Sequence, residues 1–292
     1  MSAPSSNIVR RGEPSPSAWR VAVLRAVHQL LDEPLVLPDP IALPLLGASA
    51  EAALRENPFA HDEPIARGLR AFLVARSRFV EDELARGVAA GIRQYVVLGA
   101  GLDTFACRNP HPGLRVFEVD HAGTQRWKQQ LLEDAHIAVP ASASFVPMDF
   151  ERDELGQTLS RAGFDPQRPA CIGWMGVTMY LTPDAVLRTL TTIAGLAAGS
   201  SVCFDHRGAP EALGPLERAV DEAIGRQVAA AGEPWLSAFE PEALRRELLA
   251  RGFGAAESTT PDELNARYFA RRRDGLRTGG NARLMCARCL PG

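Results

Sequence analysis

Apolar and polar positions alternate in blocks along the chain. Tyr95, Val96, Val97 and Leu98 are contiguous rather than alternating, as expected of a strand buried on both faces of a parallel sheet. The run stops at Gly99-Ala-Gly-Leu-Asp103. Comparable short runs follow at 114–120, 144–149, 168–174 and 201–205, several of them ending in a carboxylate. Helical patterning fills the intervals, at 127–135 and from Thr182-Pro-Asp onward to about 198, where Thr182 reads as an N-cap and Pro183 as the first helical residue. Two further helices are predicted ahead of the first strand. In 18–31 the residues Val21, Leu24, Val27, Leu30 and Leu31 recur near helical spacing, and in 64–87 Leu69, Phe72, Leu73, Val80 and Leu84 do the same. Helices at 211–231 and 240–251 precede a last strand at 283–289, whose hairpin partner lies near 253–258.

The order strand–helix–strand, repeated, predicts an α/β fold: a doubly wound, mostly parallel, seven-stranded sheet with ligands at the carboxyl edge of its strands. The organisation expected is a flexible Ser- and Pro-rich tail at 1–16, an amino-terminal helical lid at 17–90 and a Rossmann-like domain at 91–292 with insertions around 206–250. A hydrophobic content of 46% over 292 residues suffices for a packed core. The net charge of −3 offers no basic excess for nucleic acid. No apolar run reaches membrane-spanning length, so no membrane partner is expected and the default location is cytoplasmic. Oligomeric state is left open.

The five cysteines, odd in number and scattered, argue against a disulfide framework. Cys286-Ala-Arg-Cys289 lacks the second pair that a zinc ribbon needs, so no metal is expected and buried thiols in a last strand are the reading.

Gly99 and Gly101 let the backbone turn tightly and approach a ligand closely. An acidic residue about 20 positions past such a loop reaches ribose hydroxyls in a βαβ nucleotide fold, and Glu118 and Asp120 bracket that distance. The third glycine of a dinucleotide fingerprint is here Thr104, which disfavours a nicotinamide dehydrogenase. The form Gly-x-Gly-x-Asp is common where the ligand carries an amino-acid moiety and no pyrophosphate, as in class I S-adenosylmethionine-dependent methyltransferases.

Residues 94–108, Val116-Phe-Glu-Val-Asp120, Gly163-Phe-Asp-Pro and Met179-Tyr-Leu-Thr-Pro183 resemble the leucine carboxyl methyltransferase family, which includes bacterial O-methyltransferases associated with polyketide-like small molecules. Asp39-Pro40, Arg76-Ser-Arg-Phe-Val80 and Gly232-Glu-Pro-Trp235 extend the likeness. The resemblance implies S-adenosyl-L-methionine as cofactor. Gly99 and Gly101 then fall in the cofactor loop, Asp120 at the ribose, Asp149 and Phe150 beside the adenine, and Arg76, with Arg78 as its rival, at the methionine carboxylate. One position departs: the family's fourth strand usually ends in Glu-Gly-Leu or a similar triplet, whereas this chain has Met175-Gly-Val177.

The expected reaction is O-methylation of a carboxylate or hydroxyl on a small, natural-product-like acceptor. A carboxylate needs no base. A hydroxyl benefits from one, for which His206, just after the fifth strand, and Tyr180, after the fourth, are the candidates by placement. Trp235 and Tyr268, with Phe269, are candidate walls of the acceptor pocket. Met175 motivates two alternatives: an enzyme that keeps the cofactor pocket but catalyses another reaction, and a non-catalytic cofactor-binding regulator.

Overall fold

A computed structural model of the chain describes residues 15–290. The predicted tail lies outside the described residues as far as position 14. Ser15 and Pro16 belong to the first helix, which they open as N-cap and first helical residue.

Seven strands form one sheet in the order β3-β2-β1-β4-β5-β7-β6. They are β1 (Gln94–Leu98), β2 (Arg115–Asp120), β3 (Ala143–Pro147), β4 (Cys171–Trp174), β5 (Ser201–Arg207), β6 (Phe253–Thr259) and β7 (Ala282–Cys289). The first five are parallel, and β7 runs antiparallel between β5 and β6. This is the doubly wound sheet expected from the pattern.

Contiguous apolar strands are explained by two covered faces. Val96 and Leu98 join Phe117, Val119, Trp174 and Phe204 on one side, while Tyr95 and Val97 join Val116 and Leu84 on the other. The helices of the sheet domain are α4 (Phe105–Arg108), α5 (Ala122–Asp134), α6 (Leu155–Arg161), α7 (Pro183–Ala194), α8 (Pro215–Ala230), α9 (Pro241–Ala250) and α10 (Pro261–Tyr268). Thr182 caps α7 through its hydroxyl, which accepts the Ala185 N–H at 3.3 Å.

Before β1 come α1 (Pro16–Leu31), α2 (Ala48–Glu56) and α3 (Pro64–Ala89). Apolar residues occur all round α3 because it is surrounded. Phe72, Phe79 and Val80 pack on the β5–β7 side of the sheet, Ala71 and Val74 on Phe269 and Leu276, and Leu84 on β1. Three arginines are buried in these helices, and each has an acidic partner: Arg25 with Asp103, Arg70 with Asp32 and Asp62, Arg76 with Asp205. No described helix is long and apolar enough to cross a membrane.

The cysteines differ from expectation. Cys203 on β5 and Cys286 on β7 are directly paired across the antiparallel ladder and form a disulfide, while Cys289 is a buried thiol. Sequence separation hid this pair, because only the strand register brings the two sulfurs together.

Candidate functional site

The connections leaving β1 and β4 run to opposite sides of the sheet, and a cleft opens at their carboxyl ends, at the switch in strand order. Its floor is the glycine loop. Gly99 (φ 65°) and Gly101 (φ 48°) lie in the left-handed region that favours glycine. A Cβ on Gly99 would also fall 2.1 Å from Val177 Cγ2, so the β4 loop rests directly on the glycine backbone.

Asp120, at the end of β2, faces this loop. Its Oδ2 accepts the Gly101 N–H at 2.6 Å and its Oδ1 accepts the His121 N–H at 2.6 Å. Burial raises its carboxyl above the usual range, against these two backbone donors, which act to lower it. An ionised carboxylate offers about four lone-pair sites, so acceptor capacity remains for a ligand diol. Glu118, its rival in the sequence, is buried two residues back and bonded to Lys128 at 2.5 Å, the single lysine of the chain. Asp120 lines the cleft and Glu118 does not.

Helices α1 and α3 cover the glycine loop. A polar network fixes them there: Arg25 donates to Asp103 Oδ2 at 3.2 Å, Thr104 Oγ1 donates to Asp39 Oδ2 at 2.6 Å, and Arg108 bonds both Thr104 Oγ1 at 3.0 Å and Glu81 Oε2 at 3.0 Å. Burial acts to raise the Asp103 carboxyl, but Arg25, Arg108 and Lys128 together hold it below its usual range. Sequence reasoning read Asp103 only as the acid of the Gly-x-Gly-x-Asp loop and did not single out Arg25 or Glu81 as site residues. The available signal was arginines on helix faces that are otherwise buried.

The far wall comes from β4 and the loop after it, backed by Asp205 of β5. Arg76 reaches from α3 to Asp205 Oδ2 at 2.6 Å, and Asp205 Oδ1 accepts the Gly176 N–H at 2.6 Å. Met175 lines the cleft and packs its other side against the cluster of Phe72, Phe79 and Val80. Phe150 lines the cleft with its ring stacked on Trp174, centroids 6.1 Å apart. Tyr180 stands on the turn after β4, where burial and the Glu233 carboxylate push its phenol up.

The loop at 231–240 closes this end. Leu236 N–H donates to the Met179 carbonyl at 2.7 Å, and Ser237 Oγ to the Thr178 carbonyl at 2.8 Å. Glu233, 1% exposed, accepts from Ser15 Oγ and from Ser17 N–H (3.0 Å) and Oγ (3.2 Å), joining this loop to the amino terminus of α1.

Arg76, Gly99, Gly101, Asp120, Phe150, Met175 and Tyr180 are therefore brought together in one cleft. The other candidates are placed elsewhere. His206 does not face the cleft: β5 continues through Arg207, so His206 points to the sheet face opposite Asp205, fully buried between Phe204 and Phe239. Its Nε2 has no partner among the described residues, and burial lowers its pKa. Asp149 turns away into a turn of its own, accepting the Glu151 N–H at 2.9 Å. Trp235 sits behind Tyr180, under the Arg207 guanidinium at 4.5 Å, rather than on the cleft surface. Tyr268 is on the outer side of α3, its hydroxyl donating to Asp82 Oδ2 at 2.7 Å, and Phe269 is core. Arg78 pairs with Asp82 at the surface, which removes it as a rival to Arg76.

The family model for leucine carboxyl methyltransferase matches residues 18–194, more than half of the chain. The Bacillus subtilis protein named "Putative S-adenosyl-L-methionine-dependent methyltransferase YktD" is 31% identical over 295 residues, covering 92% of this chain and 95% of that protein. The chain belongs to the leucine carboxyl methyltransferase family. A Frankia alni relative, "Putative S-adenosyl-L-methionine-dependent methyltransferase FRAAL3718", is 35% identical over 199 residues, covering 65% of this chain and 68% of its own. The crystal structure of a putative methyltransferase from Thermobifida fusca superposes with a TM-score of 0.53 at 23% identity, over 88% of this chain and 97% of that one, and shares the fold.

The site fits the family's cofactor on its own geometry. Two left-handed glycines without a Cβ let the backbone approach a ligand closely, a carboxylate closes the second strand, and a buried arginine stands across the cleft from them. With Met175 just after β4 the chain has no carboxylate there, yet Asp205 sits one strand over, within hydrogen-bond distance of the same loop.

Proposed function

We propose that the chain is an O-methyltransferase whose acceptor is a small molecule presenting a carboxylate. As a member of its family it is a methyltransferase, and S-adenosylmethionine is its cofactor. The cofactor supplies an electrophilic methyl group on a sulfonium, and alignment with the acceptor oxygen is the protein's main contribution. The glycine loop and Asp120 hold the nucleoside end, and Arg76 stands where a carboxylate of the ligand is received.

The observation that carries the choice of acceptor is the state of the titratable groups. At the glycine-loop side Glu81 and Asp103 are matched with Arg108 and Arg25, Asp120 with backbone N–H groups, and His121 follows Asp120 at the end of β2, two strands away from the Met175 end. At the Met175 end the titratable lining side chains are Arg76, paired with Asp205, and Tyr180 and Tyr95, whose pKa values burial raises, so that both phenols stay protonated at neutral pH. Such a phenol donates a hydrogen bond but does not abstract a proton, and a carboxylate acceptor asks for just that.

The test is incubation with methyl-labelled cofactor and a panel of carboxylic acids and phenols. The reading expects a product heavier by one CH₂ unit that releases methanol in mild alkali, the behaviour of an ester. Alkali-stable label would assign an ether and refute the carboxylate reading. Label confined to the cofactor under single-turnover conditions, with every acceptor, would favour the non-methylating alternatives that Met175 motivates.

A further inference from the structure

Asp205 is fully buried, and three parts of the cleft wall converge on it. Its Oδ2 accepts from Arg76 Nη1 on α3, its Oδ1 accepts from the Gly176 N–H in the β4 loop, and its carbonyl oxygen accepts from Thr178 Oγ1, each at 2.6 Å. The Thr178 turn carries Tyr180. Gly176 has φ 76°, and a Cβ there would fall 2.6 Å from Arg76 Nη2, so the guanidinium lies flat against this glycine. One residue thus sets the position of an arginine and a loop backbone through its carboxylate, and of the turn after them through its backbone carbonyl.

Charge makes the arrangement more than scaffolding. The ligand's methionine end carries an ammonium and a sulfonium beside its carboxylate. An unpaired Arg76 would attract the carboxylate and repel both cations. Pairing with Asp205 leaves a locally neutral site, and of the five guanidinium N–H donors only one is taken by Asp205. Just after β4, where the family resemblance implies a carboxylate, this chain has Met175, which carries no charge to set against Arg76.

We propose that Asp205 is the positioning residue for the amino-acid end of the cofactor, balancing from β5 the charge of Arg76 that Met175, just after β4, cannot balance. This rests on the assignment of the cleft to S-adenosylmethionine. Asp205 acts through Arg76 and Gly176 and is itself withdrawn from the cleft surface.

The test compares two ligands that share the nucleoside and differ in the amino-acid end: S-adenosylhomocysteine and 5′-methylthioadenosine. Asp205→Asn keeps the size and the acceptor for Gly176 but removes the charge. It should weaken S-adenosylhomocysteine binding by about tenfold or more while methylthioadenosine affinity stays within about twofold. Met175→Glu/Asp205→Asn, which places a carboxylate just after β4, should recover most of the loss, and it keeps the test open should Asp205→Asn alone fold poorly. Equal weakening of both ligands, unchanged S-adenosylhomocysteine affinity, or no recovery in the double variant would overturn the proposal. Wild-type protein that binds neither ligand would overturn the cofactor assignment, and the proposal with it.

Discussion

Lys128→Met gives a quantitative test of why Asp120, rather than Glu118, serves the cleft. The Lys128–Glu118 pair is 2% exposed on both sides and 2.5 Å long, and Glu118 Oε1 has no partner of its own among the described residues. Burial already raises the Glu118 carboxyl above its usual range, with Lys128 as the group that opposes the rise. Removing the ammonium leaves a buried carboxylate with nothing to balance it, which costs about 3–5 kcal/mol. Glu118 then binds a proton more readily when folded than when unfolded. Between the unfolded carboxyl range and the raised folded value the native state holds more protons, so the stability of the variant falls as pH rises through that window. Lys128→Met/Glu118→Leu, with neither charge, should regain most of the loss. Urea denaturation of the three proteins at neutral and mildly acidic pH measures all of this. A single-variant loss below about 1 kcal/mol at neutral pH, or a double variant no better than the single, would refute the buried-pair account.

Other expectations follow from the same geometry. Gly99→Ala combines a left-handed backbone with a Cβ in the Val177 side chain and should cost about 2–5 kcal/mol in denaturant melts, with loss of cofactor binding. Glu233→Ala removes the acceptor for Ser15 and Ser17 and should cost about 1–3 kcal/mol, with faster amide exchange confined at first to the start of α1. His206→Phe should leave kcat/KM within about a factor of two and not lower the melting temperature, because it replaces an orphaned ring nitrogen away from the cleft; a collapse of kcat at retained fold would reinstate it as a base. Cofactor affinity measured by calorimetry should begin to fall, as pH is lowered, above the range where an ordinary carboxylate titrates, because the raised Asp120 carboxyl gains its proton earlier and loses acceptor capacity, whereas an affinity flat down to the ordinary carboxylate range would contradict that role.

What was legible in the chain was what depends on local pattern. Buried runs placed all seven strands within a few residues, and the spacing of Gly99, Gly101 and Asp120 identified the cleft because loop and strand end lie on neighbouring strands. Short helices with few buried residues escaped notice: α2 buries only Leu54, and α6 only Leu155 and Leu159. Helix α10 carried a readable signal, Thr260-Pro-Asp-Glu263, which forms a capping box of the same opening pattern as Thr182-Pro-Asp. Side-chain direction was the harder quantity. His206 was placed by its distance from β5, but the strand is two residues longer than expected, and its period of two assigns Asp205 to the cleft side and His206 to the other. Tyr268 and Trp235 depend on how α10 and the 231–240 loop dock, which no local pattern encodes.

Binding of S-adenosylmethionine through Asp120, in the cleft over Gly99–Gly101, is open to a direct measurement. Calorimetric titration of S-adenosylhomocysteine into the wild-type protein and Asp120→Ala tests it most directly. The account predicts saturable binding to the wild type and a loss of about tenfold or more in the variant, with the far-ultraviolet circular dichroism unchanged. No heat of binding in the wild type, or equal affinity in the two proteins, would contradict it.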